Sequence, residues 1–204
     1  MQIDKRITYE YNGFTYTNFV NLSRGQLVMI YDWRMHPSVV RFMNNRSSFT
    51  LESHLLFAEK LKEREDVFYW LVENNGKPLG VLNIVDINNS ENSCEPGIIF
   101  SPDLIKTGIS LFVVNNYKAF LFDILGFDVL YGHNYLDNLT AVQYTFFLGA
   151  KMIAVEEKDE MRSVKSFLTP QLFKRYEKKE LVSEYVRYIR NWNDSDIKHI
   201  LYDE

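Results

Sequence analysis

Residues able to do chemistry fall at a few places along the chain. The loop Ser101 to Ser110 carries Lys106, Thr107 and Gly108 and runs into the segment ISLFVVNNYKAFLFDIL, which reads as a helix. The first turn of a helix leaves backbone N–H groups without intrahelical partners, at the positive end of the helix dipole, so a glycine-bearing loop there can seat an anion. Lys106 would add charge and Thr107 a hydroxyl; the same residues equally make an ordinary strand-to-helix loop. Asn138 stands ahead of LTAVQYTFFL, where its side chain can cap a helix. Arg34 presents a guanidinium fork matched to a diphosphate, or pairs with Asp32 or Glu52. His54 lies in the middle of an apolar helical face, as a satisfied core residue or as a ligand contact. Glu95 lies in a strand, as a proton acceptor or as a salt-bridged carboxylate. Tyr144 and Thr145 are adjacent in a helix and therefore face about 100° apart.

Composition limits what these residues can serve. The 204 residues are 46% apolar and 15% aromatic, enough for one sizeable core with an appendage, which we place at 1–168 and 169–204. A formal net charge of −4 with no basic stripe argues against nucleic acid, so any anionic ligand must be met locally. The single cysteine, Cys94, excludes an internal disulfide framework and a multi-cysteine metal site. MQIDKRITYEY is not a signal peptide and no apolar run reaches membrane-spanning length, so a cytoplasmic location without membrane contact is expected.

The elements that must position the candidates follow from turns and periodicity. Asn12-Gly13 between ITYEY and FTYTNFVNL predicts a hairpin, and Asn75-Gly76 between VFYWLVE and PLGVLNIVDI a second. Ser23 and Thr50 are set to cap helices through LVMIYDWRM and LESHLLFAEKL, with a break at Pro37 before a short helix near Val39 to Met43. CEPGIIFS, FDVLYGH, KMIAVEE and RSVKSFL read as strands, and Gly126 and Gly149 as helix stops. Thr169-Pro170 is expected to open a C-terminal helix. Leu172, Phe173, Tyr176, Leu181, Tyr185, Tyr188, Ile189 and Trp192 give the tail an apolar stripe that packs on its own domain or forms a homodimer contact. The class is α+β: a mainly antiparallel, mixed, twisted sheet of about seven strands flanked by helices, with an N-terminal hairpin and a C-terminal helical extension.

The order strand, glycine turn, helix, strand, then Asn138-Leu139-Thr140-Ala141 and Gly149, resembles the cofactor half of the Gcn5-related N-acetyltransferase family. DWRMHPSVVRFM followed by FTLESHLLFAEKL is similar to its amino-sugar branch, that of the pseudaminic acid pathway; the likeness runs from Tyr31 to Val155. The resemblance implies acetyl-coenzyme A as co-substrate, no metal, and direct transfer to the amine of a nucleotide-linked 4-amino-4,6-dideoxy sugar. On it, Ile98, Ile99 and Phe100, with Gly97, would present backbone amides to the thioester. Lys106, Thr107, Gly108, Ile109 and Ser110 would cradle the pyrophosphate, and Asn138 and Ala141 would meet the pantetheine arm. Arg34 and His54 would contact the nucleotide, and Glu95 is the candidate base.

Two positions depart from the family pattern. The tyrosine that protonates the leaving thiolate falls on Thr145, with Tyr144 one residue earlier, and the pyrophosphate loop has Asp103 and Lys106 at its first two motif positions. Tyr144 through a local helix distortion, or a water, would then supply the proton. Acetylation of a protein or peptide amine, and a non-catalytic acyl-coenzyme A binding module, are the other readings of the same segment.

Overall fold

Asn12 and Gly13 have φ of 49° and 79°, the two positive values that a tight hairpin turn requires, and they join β1 (Thr8–Tyr11) to β2 (Phe14–Asn18). Asn75 and Gly76, at 50° and 72°, repeat the device between β3 (Phe68–Asn74) and β4 (Lys77–Asn88). The computed structural model describes residues 3–41, 43, 48–105, 107–158 and 161–192. With β5 (Ser93–Phe100), these strands pair antiparallel in the order β1-β2-β3-β4-β5. They belong to the first of two compact units, 1–127, with helices α1 (Arg24–Met35), α2 (Pro37–Val40), α3 (Leu51–Lys60) and α4 (Ile109–Asp123). The second unit, 128–204, holds β6 (Val129–Tyr135), α5 (Leu139–Phe147), β7 (Lys151–Lys158), β8 (Met161–Leu168) and α6 (Lys178–Arg190). In it β8 pairs antiparallel with both β6 and β7. The α+β class holds, with eight strands among the described residues.

Helix starts follow their caps. Ser23 and Gln26 form a reciprocal capping box at α1, Ser23 Oγ accepting from Gln26 N at 3.3 Å and Gln26 Oε1 accepting from Ser23 N at 3.0 Å. Thr50 Oγ1 accepts from Ser53 N at 3.2 Å to open α3. Gly126, at φ 70°, ends α4, with Phe127 N donating to Leu121 O at 3.2 Å.

Strand alternation divides the first unit's sheet into two faces. Trp70, Leu82 and Ile84 face α4, where Phe120 stacks on Tyr16 at 4.2 Å between ring centroids and Asn116 donates to Tyr16 Oη at 2.6 Å. Leu71 and Val81 face the other way, into a core with Phe19, Ile30, Ala58 and Leu61 from the α1 and α3 side. Burying each large apolar side chain of these two layers contributes about 1.5–3 kcal/mol.

In the second unit α6 packs on α5: Tyr185 meets Tyr144 edge-on at 5.4 Å, and Leu181 is fully buried. The tail therefore packs on its own unit. Thr169-Pro170 does not open its helix. Leu172 and Phe173 turn back onto Thr169 O, and Lys174 N donates to Leu148 O at 2.9 Å, so 169–177 is committed to the end of α5 and helix starts only at Lys178.

Candidate active site

The second face of β3, β4 and β5 carries the polar residues that the fold leaves half-buried. Tyr69 is opposite Asn83 on β4, and Asn83 is opposite Gly97 on β5; two residues along β5, Glu95 is opposite Val85 on the same face. Directly opposite residues of an antiparallel pair have Cβ atoms about 5 Å apart, so Tyr69, Asn83 and Gly97 form one row. From the α4 face Tyr117 Oη donates to the backbone oxygen of Asn83 at 2.7 Å and holds the strand there.

Arg34 and His54 stand over this face from α1 and α3. Arg34 is half-buried, its guanidinium 5.6 Å from the Phe49 ring centroid. Desolvation draws its pKa down and the nearby Tyr69 acts against that. His54 is 6% exposed, with the rings of Tyr31, Phe49 and Phe19 at 5.9, 6.1 and 6.4 Å. Burial lowers its pKa, and a hydrogen bond to the Leu27 backbone partly opposes this, so the imidazole is neutral at pH 7. Its Nε2 is buried without a hydrogen-bond partner among the described residues. His54 is thus a core residue in its packing that also keeps one nitrogen unused. Burial raises the Tyr69 hydroxyl, with Arg64 and Arg34 opposing.

Ile98, Ile99 and Phe100 are half-buried on β5, opposite Leu82, Val81 and Gly80. Beyond Ser101 a short 3-10 turn (Pro102–Leu104) leads to Thr107, whose hydroxyl donates to Leu104 O at 2.7 Å and accepts from Ile109 N at 3.4 Å. Gly108, at φ 79°, begins α4 in the left-handed conformation that favours glycine, with open space where a Cβ would stand. Ser110 follows, half-buried in the first turn of α4. Lys106 lies outside the described residues. Lys118 on α4 is near Cys94 and Glu95: burial brings its pKa down to about 8 against the pull of both, although the residue keeps some exposed surface. Cys94 itself is fully buried and pushed up to about 12 by desolvation.

In the second unit Asn138 begins α5 without capping it. Its backbone oxygen accepts from Ala141 N and Val142 N, but its side chain makes no cap hydrogen bond. The carboxamide is therefore not spent on the cap, and Ala141, three residues on, is half-buried. Thr145 Oγ1 accepts from Asn134 Nδ2 of β6 at 3.2 Å. Tyr144 lies in the seam under α6, 6% exposed, against Phe147 at 5.8 Å and Tyr185, and desolvation raises its hydroxyl far above the usual range. No helix distortion turns it outward: α5 runs as a single helix from Leu139 to Phe147.

No protein-family model matches the chain. The acetyltransferase PseH of Campylobacter jejuni subsp. jejuni serotype O:2 is 32% identical over 126 residues, which span 62% of this chain and 77% of that protein. The chain belongs to the Gcn5-related N-acetyltransferase superfamily, close to PseH. PseH of serotype O:23/36 is 29% identical over 126 residues. The solved structure of Campylobacter jejuni PseH in complex with acetyl coenzyme A has a TM-score of 0.60 at 22% identity, covering 77% of this chain and 99% of that one. That of Vibrio cholerae spermidine N-acetyltransferase in complex with CoA and spermine reaches 0.70 at 19% identity, covering 78% and 97%. These structures share the fold. This superfamily member is an acetyl-coenzyme A-dependent N-acetyltransferase. Among the described residues no helix is long and apolar enough to cross a membrane.

Sequence reasoning passed over two residues of this N-acetyltransferase's polar face, Tyr69 and Asn83. The signal was present as alternation: in VFYWLVE and PLGVLNIVDI both occupy positions facing the same way as Leu71 and Val81, and a polar residue at such a position must find a partner or a ligand.

Proposed function

We propose that this N-acetyltransferase moves the acetyl group of acetyl-coenzyme A directly to the amine of a nucleotide-linked amino sugar of the 4-amino-4,6-dideoxy type, with the chemistry carried by 1–168 and 169–204 as a helical extension. The observation that carries the acceptor class is the Arg34 guanidinium over the Phe49 ring beside a neutral, buried His54. A cation next to aromatic walls suits an anionic ligand with a flat base, whereas a polyamine would meet Arg34 with like charge. Peptide acceptors require an open groove, and in the first unit α1 and α3 lie over this face.

In this reading the amides at Gly108, Ile109 and Ser110 take the pyrophosphate, with Thr107 shaping the turn, and the Asn138 carboxamide and Ala141 receive the pantetheine arm. Backbone N–H groups of Ile98, Ile99 and Phe100 polarise the thioester carbonyl, which gains negative charge as the amine attacks. Glu95 takes the amine's proton directly or through water. The attacking nitrogen must be neutral, so the proton has to pass to an acceptor such as the Glu95 carboxylate before the attack. Tyr144, sealed in its seam, is a poor source for the thiolate proton, so water supplies it, with the Thr145 hydroxyl, held by Asn134, as the other candidate on α5.

A thiol-release assay tests the proposal with acetyl-coenzyme A and, in parallel, a nucleotide-linked 4-amino-4,6-dideoxy sugar, spermidine and a peptide with a free N-terminus. Turnover of the sugar alone is expected. Turnover of spermidine or peptide without the sugar overturns the acceptor assignment.

A further inference from the structure

The row Tyr69, Asn83, Gly97 contains two polar groups that no described residue uses. The Asn83 carboxamide makes no hydrogen bond to any described residue, and neither does the Tyr69 hydroxyl. Both are half-buried, and a half-buried polar group without a partner forfeits free energy unless water or a ligand completes it. The third member explains why the amide is where it is. A Cβ on Gly97 would stand 2.5 Å from Asn83 Oδ1 and 3.0 Å from Nδ2, so the carboxamide lies flat on the bare backbone of β5. Gly97 has no positive φ to explain it; its role is to leave this space. Tyr117 fixes the Asn83 backbone from the far side, while Glu95 stands two residues along the same face of β5.

We infer that Asn83, lying on Gly97 and neighboured by Tyr69, is the acceptor-reading group of this enzyme: its carboxamide hydrogen-bonds the acceptor at the carbon that carries the amine, or at the hydroxyl next to it. The inference rests on the proposed acetyl transfer to a sugar amine and adds the residues that orient it. An amide is suited to this position because its oxygen accepts from a neutral amine and its NH2 donates to a hydroxyl, while it adds no charge next to Glu95. Tyr69, on the side toward Arg34, supplies a second donor. Asn83 is a positioning and specificity residue, and the proton acceptor remains Glu95.

The test is a double-mutant cycle between Asn83 and Gly97, read by steady-state kinetics with both substrates varied and with folding checked by thermal melts. Asn83→Ala is expected to raise the acceptor KM about tenfold while the acetyl-coenzyme A KM stays within about twofold. Gly97→Ala puts a methyl into the space of the amide and is expected to raise the acceptor KM by a similar factor in the wild-type background. In the Asn83→Ala background it should add nothing, because nothing remains to displace. An unchanged acceptor KM in Asn83→Ala overturns the inference, as does a Gly97→Ala effect of full size in the absence of the Asn83 side chain. The cycle is run with whichever amine the wild type acetylates. If that amine is spermidine or a peptide, the amino-sugar reading fails, and the role of Asn83 is still decided by the same non-additivity.

Discussion

Tyr69 and Tyr144 are the same residue type, and desolvation raises both hydroxyls, but they do opposite things. Tyr69 rises from β3 among half-buried polar neighbours, close enough to Arg34 to feel its charge, and its hydroxyl takes no partner among the described residues. Tyr144 is 6% exposed in a seam of rings, with Phe147, Tyr176 and Tyr185 around it. A perturbed pKa therefore identifies neither as functional; what separates them is whether the chain around the ring is finished. The seam of α5 and α6 is filled by its own aromatic packing, whereas the floor formed by β3, β4 and β5 carries a hydroxyl and a carboxamide that bond to no described residue.

If the comparison is right, damage to the seam costs stability and damage to the floor costs acceptor binding. The largest effect is expected at Gly149. It sits at φ 99°, and a Cβ there would run into the Leu172 carbonyl oxygen, which belongs to the segment that folds back along the end of α5. Gly149→Ala combines a strained backbone with a backbone clash and should destabilise by about 3 kcal/mol, a fall in Tm of roughly 6–12 °C in a melting experiment. A variant that melts with the wild type would show the seam to be loose, and the contrast with the floor would collapse.

Next comes the floor itself. Tyr69→Phe keeps the ring, with its edge contact to Phe57 and its tilted contact to Phe19, and removes only the oxygen. It should raise the acceptor KM about fivefold, leave the acetyl-coenzyme A KM alone and change Tm little, since no hydrogen bond to a described residue is lost. Equal losses for both substrates would mean that Tyr69 shapes the sheet rather than reading the acceptor. The matching change in the seam, Tyr144→Phe, should cost about 1 kcal/mol of stability at most and leave kcat within about twofold. A large fall in kcat with loss of the alkaline limb of the pH profile would instead make Tyr144 the thiolate acid and reverse its placement.

What was legible in the sequence tracks where the physics is local. Asn12-Gly13, Asn75-Gly76, Ser23 and Thr50 each act within four residues, and each element boundary they predicted is present. Thr169-Pro170 obeys the same local rule and fails because a non-local bond, Lys174 N to Leu148 O, competes for the backbone that a helix would have used. Asn138 shows the reverse: a residue suited to capping does not cap, and only the structure reveals that its carboxamide is left over. The family likeness pointed to Arg34 and His54 as candidates and did not reach the Tyr69 and Asn83 row. Its members come from three strands, and they become neighbours only once the register of β3, β4 and β5 is known.

The smallest expected effect concerns His54, where the floor meets its aromatic wall. Its folded-state pKa lies below the ordinary 6.5 because burial disfavours the imidazolium. As pH falls through 6.5, the unfolded chain binds a proton that the folded chain still refuses, so stability declines, and the decline levels off once the folded-state pKa is passed. Chemical denaturation at pH 7.5, 6.5 and 5.5 should show this loss in the wild type and not in His54→Gln. An anionic ligand bound beside Arg34 would place negative charge near the imidazole, favour its protonated form and shrink the loss. If a nucleoside diphosphate leaves the pH dependence of stability unchanged while it binds, then the anion is not next to His54, and Arg34 alone must hold it.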